Sequence, residues 1–200
     1  MKNTINRHGT EDFVKHAKIH SALTDDELEQ IKAASIPKKL RKKQFLLQEG
    51  DTCRTRAFVC KGCLRVYRVS IKGTEHILHF AAENWWIDDP ESLLTGQPSK
   101  TNIEAIEDCE LLLWKKEDME KLFTDIPVFK TWNDHTLAKN LISHQNRIYS
   151  DMSETAEMKY NNFIEAYPSI YNRVPLHMVA SYLGVSAKTL TRIRKHSTGQ

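Results

Sequence analysis

Between residues 43 and 115 short apolar runs alternate with glycine turns, and after Lys115 those turns give way to helical spacing. This change of period constrains the chain most, because side chains repeating every second residue build sheets and a repeat near 3.6 builds helices. Gln44-Phe45-Leu46-Leu47-Gln48 closes at Glu49-Gly50-Asp51, and Arg56-Ala57-Phe58-Val59-Cys60 turns through Lys61-Gly62 into a run from Cys63 to Val69. In that run Leu64, Val66 and Arg68 are expected on one side and Arg65, Tyr67 and Val69 on the other. Lys72-Gly73 turns again into Glu75-His76-Ile77-Leu78-His79-Phe80, and Asn102–Ile106 and Cys109–Trp114 follow. Several short strands joined by glycine turns predict a sandwich or barrel. Residues 10–34 read as helical, with Thr24-Asp25-Asp26-Glu27 as a start signal and Leu28 and Ile31 spaced for one face.

Beyond the strands, Glu117–Phe123 predicts a short helix, and an unbroken helix runs from Pro127 to about Ser150. In it Leu137, Leu141, His144, Ile148 and Met152 recur at steps of four, three, four and four, a stripe along one face. Such a stripe packs either on the chain's own sandwich or on a second copy. Its narrowness, and a helix longer than one small sandwich covers, favour the second copy.

Charge is informative through its placement. The net charge is +3, but no Asp or Glu follows Glu165, while Arg173, Lys188, Arg192, Arg194 and Lys195 do, so the residues before this tail carry a net −2. Concentrated positive charge draws polyanions. Lys38-Lys39-Leu40-Arg41-Lys42-Lys43 is a second basic run, read as an exposed sheet edge that lysines keep from pairing. The acidic residues from Glu83 to Asp125 make the middle of the chain a poor host for nucleic acid.

The acid-free tail also carries the most specific pattern. Val174-Pro175 opens a helix whose Val179, Ala180 and Leu183 give it an apolar face. Gly184 stands where a left-handed turn residue is needed, Val185 fills the gap, and Ser186 caps a second helix with Leu190 and Ile193 turned inward. Its other face offers Lys188, Thr189, Arg192 and Lys195. Small Ala180 opposite Gly184 lets two helices cross closely, as a DNA-reading helix-turn-helix requires.

Taken together, the strands, the long helix and the terminal pair resemble the cyclic-AMP receptor protein/FNR (Crp/Fnr) superfamily of bacterial transcription regulators over nearly the whole chain. Phe45–Asp51 and Phe58–Tyr67 resemble its sensor jelly roll, and Gly184–Ile193 its recognition-helix motif. The resemblance implies an α+β fold: a double-stranded β-helix of the cyclic-nucleotide-binding type with flanking helices over 1–126, a dimerisation helix over 127–152 through Leu137, Leu141, His144 and Ile148, and a helix-turn-helix over 153–200. Implied partners are double-stranded DNA and a second copy, with RNA polymerase and a small-molecule effector left open. Ser186 and Arg192 match the family's DNA-facing positions; Lys188 stands where a Glu is usual, and Thr189, Arg194 and Lys195 complete the expected DNA-binding set. Because the sequence stops soon after Lys195, the hairpin wing that often follows this motif is not expected here.

The family's cyclic-nucleotide binders hold ribose and phosphate with a Gly-Glu pair and an Arg-Ser pair. Here Asp88-Asp89 and Ser99-Lys100 stand at those places, with Trp85 and Trp86 beside them, so an effector pocket of Trp85, Asp88, Asp89, Ser99 and Lys100 lacks the phosphate-binding Arg and is not expected to take cAMP.

Other function classes find little support. Cys60-Lys61-Gly62-Cys63 has metal-ligand spacing but no second pair, and His76 and His79, three apart on a strand, point to opposite faces. No nucleophile elbow, phosphate loop or catalytic carboxylate pair is present. We expect neither enzyme, metal nor cofactor. Four unevenly placed cysteines, an N-terminus (Met1–His8) without a leader's apolar core, and no apolar run long enough to span a membrane fit a cytoplasmic protein with reduced thiols.

Overall fold

The computed structural model describes residues 7–197. The segment read for a leader lies largely outside them, as do residues 198–200. The elements run α1 (Arg7–His20), α2 (Asp25–Ala33), β1 (Ile36–Leu40), β2 (Phe45–Leu47), β3 (Thr55–Lys61), β4 (Leu64–Val69), β5 (Glu75–Ala81), β6 (Trp86–Ile87), α3 (Pro90–Thr95), β7 (Asn102–Ala105), β8 (Cys109–Lys115), α4 (Lys116–Asp125), α5 (Pro127–Ser153), α6 (Ala156–Ala166), α7 (Leu176–Leu183) and α8 (Ala187–Ser197). Two four-stranded sheets, ordered β1-β8-β3-β6 and β2-β7-β4-β5, form the jelly roll that the glycine-punctuated strands predict. The described residues divide into two compact units, one formed by those up to Val66 together with 80–136, the other by 67–79 together with those from Leu137 onward.

In the first unit the expected helical stretch 10–34 is two helices. Thr24 ends the first run by capping the second: its hydroxyl accepts the Glu27 N–H at 3.3 Å and the Glu27 carboxylate accepts the Thr24 N–H at 2.8 Å. β3 and β8 pair antiparallel from Thr55↔Lys115 to Val59↔Leu111. Against them α1, α2, α4 and the start of α5 bury Phe13, Phe58, Trp114, Phe129 and Trp132 in one core. Trp86 joins it, 5.3 Å from the Phe58 ring and 5.1 Å from Trp114. The lysine-bearing strand β1 is an edge strand.

β4 departs from the expected alternation, since Leu64, Arg65, Val66 and Tyr67 are all buried. Arg65 is admitted because its guanidinium meets the Glu104 carboxylate of β7 at 2.6 Å. A buried charge with a matched partner can sit where period counting places a surface residue. The turn into β4 depends on Gly62: its φ is +99°, and a Cβ there would stand 2.6 Å from the Asp108 carbonyl oxygen and from Cys109 Sγ.

In the second unit α6, α7, α8 and the chain from Tyr167 to Val174 enclose Tyr160, Phe163, Ile170, Val179, Ala180, Leu183 and Leu190. Phe163, Tyr167 and Tyr182 pack with ring centroids 5.1–5.7 Å apart. Thr155 starts α6 by accepting the Met158 N–H at 3.3 Å.

Candidate nucleic-acid interface and ligand seat

α7 and α8 are joined by a turn that the sequence dictates. Gly184 takes φ +66°, and its N–H closes α7 onto the carbonyls of Ala180 and Ser181. Val185 then donates to the Ala180 carbonyl at 3.0 Å. Ser186 caps α8 by accepting the Thr189 N–H at 3.0 Å, and the two hydroxyls lie 2.8 Å apart. Leu190 and Ile193 are buried, which turns Lys188, Arg192 and Lys195 outward together on one exposed face. Spacings of four and three make them neighbours on that face.

The remaining candidates of this helix are placed differently. Thr189 is half-buried at the edge of the face. Arg194 is turned away from it: half-buried, its guanidinium lies 5.7 Å from the Tyr171 ring centroid. The reason is angular, because Arg194 stands two residues from Arg192, more than half a turn round the helix.

From Leu137 to Met152, α5 is exposed at every residue except Arg147 and Ser150, which are half-buried. Leu141, Ile148 and Met152 show 60%, 61% and 83% of their surfaces. Ile142 and Tyr149, which strict stripe counting passes over, are also exposed and widen the apolar face. His144 lies on this helix with its ring 5.8 Å from that of His79. Burial, then the neighbouring His144 and Arg147, pushes His79 down to about 4. His76 is exposed.

In the first unit, the residues read as an effector pocket engage different partners. The Asp89 carboxylate caps α3, taking the N–H groups of Glu91 (3.1 Å) and Ser92 (3.3 Å) on one oxygen and the hydroxyls of Ser99 (2.5 Å) and Thr101 (3.0 Å) on the other. Burial would raise its pKa, but these hydrogen bonds outweigh it and hold the group below the usual carboxylate range. Thr101, a member of this cluster, carries no motif that would reveal it in the sequence.

Asp88 faces elsewhere, towards Arg56, whose Nε is 3.0 Å from its Oδ2 but whose N–H is misaligned for a hydrogen bond. Burial raises Asp88 and lowers Arg56, each against the pull of the other. The same guanidinium donates to Asn133 Oδ1 and lies 5.0 Å from the Trp86 ring centroid. Lys100 is exposed and tied to Glu91 at 2.5 Å. Trp85 is 39% exposed.

All four cysteines are buried free thiols, and burial, then Asp12 and Glu110, pushes the Cys60 thiol up to about 12. Among the described residues no group of three or more His, Cys, Asp or Glu converges as a metal site, and no helix is long and apolar enough to cross a membrane. Between α5, α6 and α7 lies a cleft of about 550 Å³, bordered by Lys139, Asn146, Asp151, Phe163 and Tyr182.

Residues 37–125 match the cyclic nucleotide-binding domain family. No curated protein sequence matches the chain. Among solved structures, the c-di-GMP-responsive global regulator CLP of Xanthomonas campestris superposes with a TM-score of 0.72 at 15% identity, covering 88% of this chain and 92% of that one. FixK2 of Bradyrhizobium japonicum gives 0.68 at 20% identity, covering 82% and 86%. A regulator from Eubacterium rectale assigned to the crp/fnr family gives 0.65 at 18% identity, covering 87% and 83%. Residues 37–125 thus match the cyclic nucleotide-binding domain family, and the chain shares the fold of the Crp/Fnr regulators.

Proposed function

From the premise that residues 37–125 are a cyclic nucleotide-binding domain in a Crp/Fnr fold, we propose that the chain is a DNA-binding transcription regulator rather than an enzyme. Two copies pair through α5 and present two helix-turn-helix heads, each made of α7 and α8, to successive major grooves of a near-palindromic site. The observation that carries this reading is the outward face of α8, with Lys188, Arg192 and Lys195 exposed side by side on a helix that buries Leu190 and Ile193 on its other side. An α-helix of that length fits a major groove about 12 Å wide, where a guanidinium can read guanine through two hydrogen bonds.

Pairing through α5 is supported by Leu137, Leu141, Ile148 and Met152, which the chain itself leaves in solvent. Solvating such a row along a helix costs free energy that a second copy removes. Half-sites are then one DNA turn apart, about 34 Å. The sensor domain works without cAMP, because the donors beside Asp89 are already engaged by its own carboxylate.

The test is selection of bound duplexes from random DNA, followed by binding assays at two salt concentrations. Two related half-sites separated by about one turn, and affinity that falls with salt, are expected. A monomer that enriches no sequence would instead support a jelly-roll module that binds ligands or proteins.

A further inference from the structure

We propose that Arg147 is a positioning residue for DNA binding. With Ser181 it fastens the α7–α8 pair to the β4–β5 hairpin, so that hairpin and reading head turn as one body; this rests on reading α8 as the DNA-contacting helix. β5 is the edge strand of its sheet, and edge strands expose backbone groups that need partners. Ser181 supplies one: its hydroxyl accepts the Ile77 N–H at 3.1 Å and donates to the Glu75 carbonyl at 2.9 Å, as a neighbouring strand would.

Arg147 supplies the other. Its guanidinium donates to the carbonyls of Leu78 and Ile77 (3.3 Å) on the strand, and to the Tyr182 carbonyl at 2.8 Å. That last carbonyl belongs to the final turn of α7, whose Gly184 cap takes the carbonyls of Ala180 and Ser181. A cation there also meets the negative end of the helix dipole. The guanidinium lies 3.9 Å from the centroid of the Tyr182 ring, and Nε faces Asp151 at 3.8 Å. Three elements, β5, α5 and α7, thus share one planar fork, a role that the single ammonium of lysine cannot reproduce.

The consequence is mechanical. A guanidinium held from three directions fixes the angle of the head on α5, and α5 carries the stripe proposed to pair two copies. Arg147 should therefore govern how far apart the two heads stand, not how one head reads its half-site. A displacement of the hairpin would be delivered to the head as a rotation.

The experiment uses the full chain and a duplex selected by the wild type from random DNA. It is presented as one half-site alone and as two half-sites with the spacer altered by one or two base pairs. For Arg147→Met we expect half-site affinity within about twofold of wild type, a loss of about tenfold on the best full site, and a flattened spacer profile. Arg147→Lys should recover part of the spacer preference, and Ser181→Ala should shift it in the same direction by less. If Arg147→Met does not fold, Ser181→Ala decides the matter. A spacer profile and full-site affinity unchanged in the folded variants would overturn the proposal.

Should the wild type bind no selected duplex, the reading of α8 fails and the fastening is judged by hydrogen exchange. The Ile77 amide, protected in the wild type, must then exchange faster in Ser181→Ala, and equal exchange would refute the latch.

Discussion

The Ser99 hydroxyl gives its hydrogen to the Asp89 carboxylate across 2.5 Å, and Thr101 with two N–H groups at the start of α3 completes a shell of four donors around this internal anion. A phosphate arriving there would find a like charge and these four donors already engaged. Titration of the protein with cAMP should release no binding heat and leave the melting temperature unmoved. Replacing Asp89 by Ala removes the cap and strands the donors, which should cost about 1–2 kcal/mol of stability in urea unfolding.

The same shell sets a response to acid. Asp89 titrates below its ordinary value in the folded chain, so its contribution is present above the unfolded value near 3.8 and is lost as pH falls towards the folded value. Below pH 4 the wild-type unfolding midpoint should drop more steeply than that of Asp89→Ala. Parallel curves would show that the carboxylate is not held as the geometry indicates.

Histidines act at a higher pH and with the opposite chemistry. His16, its ring 5.6 Å from Phe58 and 5.9 Å from Trp132, is pushed down to about 4 by burial and then by His20. Between about pH 6.5 and 4 the unfolded chain therefore binds a proton that the folded chain refuses, and stability falls as pH falls through that window. His16→Phe keeps an aromatic ring without the titration, so its urea midpoint should depend less on pH between 7 and 4.5 than that of the wild type.

Ile148 is 61% exposed on α5, so a charge there disturbs little packing within the chain. If the stripe joins two copies, Ile148→Asp should halve the solution mass measured by light scattering while leaving the circular dichroism spectrum unchanged. Its affinity for a full site should fall to that for a half-site. A mass that stays the same would place the pairing surface elsewhere.

The jelly roll and the terminal helix pair were legible because their signals are local. Glycine at a left-handed turn, a capping Ser or Thr, and alternation against 3.6 spacing each act within a few residues, as at Gly62, Gly184 and Ser186. What escaped reading depends on residues distant in sequence. Arg65 enters the sheet only because Glu104 awaits it 39 positions on, and Thr101 gains its role from Asp89. Arg147 sits on α5 beside the apolar stripe, and nothing local marks the β5 carbonyls it reaches 69 and 70 positions earlier. Arg194 illustrates the converse: a basic residue in a basic tail, it is turned by one helical angle to Tyr171 rather than to the cationic face.

Lys188 and Arg192 are four residues apart on the exposed face of α8, and their chemistries predict separable effects. Arg192→Ala should cost about 1–3 kcal/mol on the selected duplex and relax preference at one guanine, because a guanidinium reads O6 and N7 together. Lys188 donates either to guanine or to phosphate, and substitution distinguishes them. If it holds phosphate, Lys188→Ala weakens all sequences alike and lowers the salt slope by about one. If it reads a base, Lys188→Glu moves the preference at that position from guanine to cytosine, since a carboxylate accepts from the cytosine amino group where an ammonium cannot. Because the Ser186 cap and buried Leu190 hold the helix without help from either cation, all three variants should remain folded. A loss of DNA binding in them would then report lost contacts, and retention of full affinity and specificity by Arg192→Ala would remove this face from the DNA.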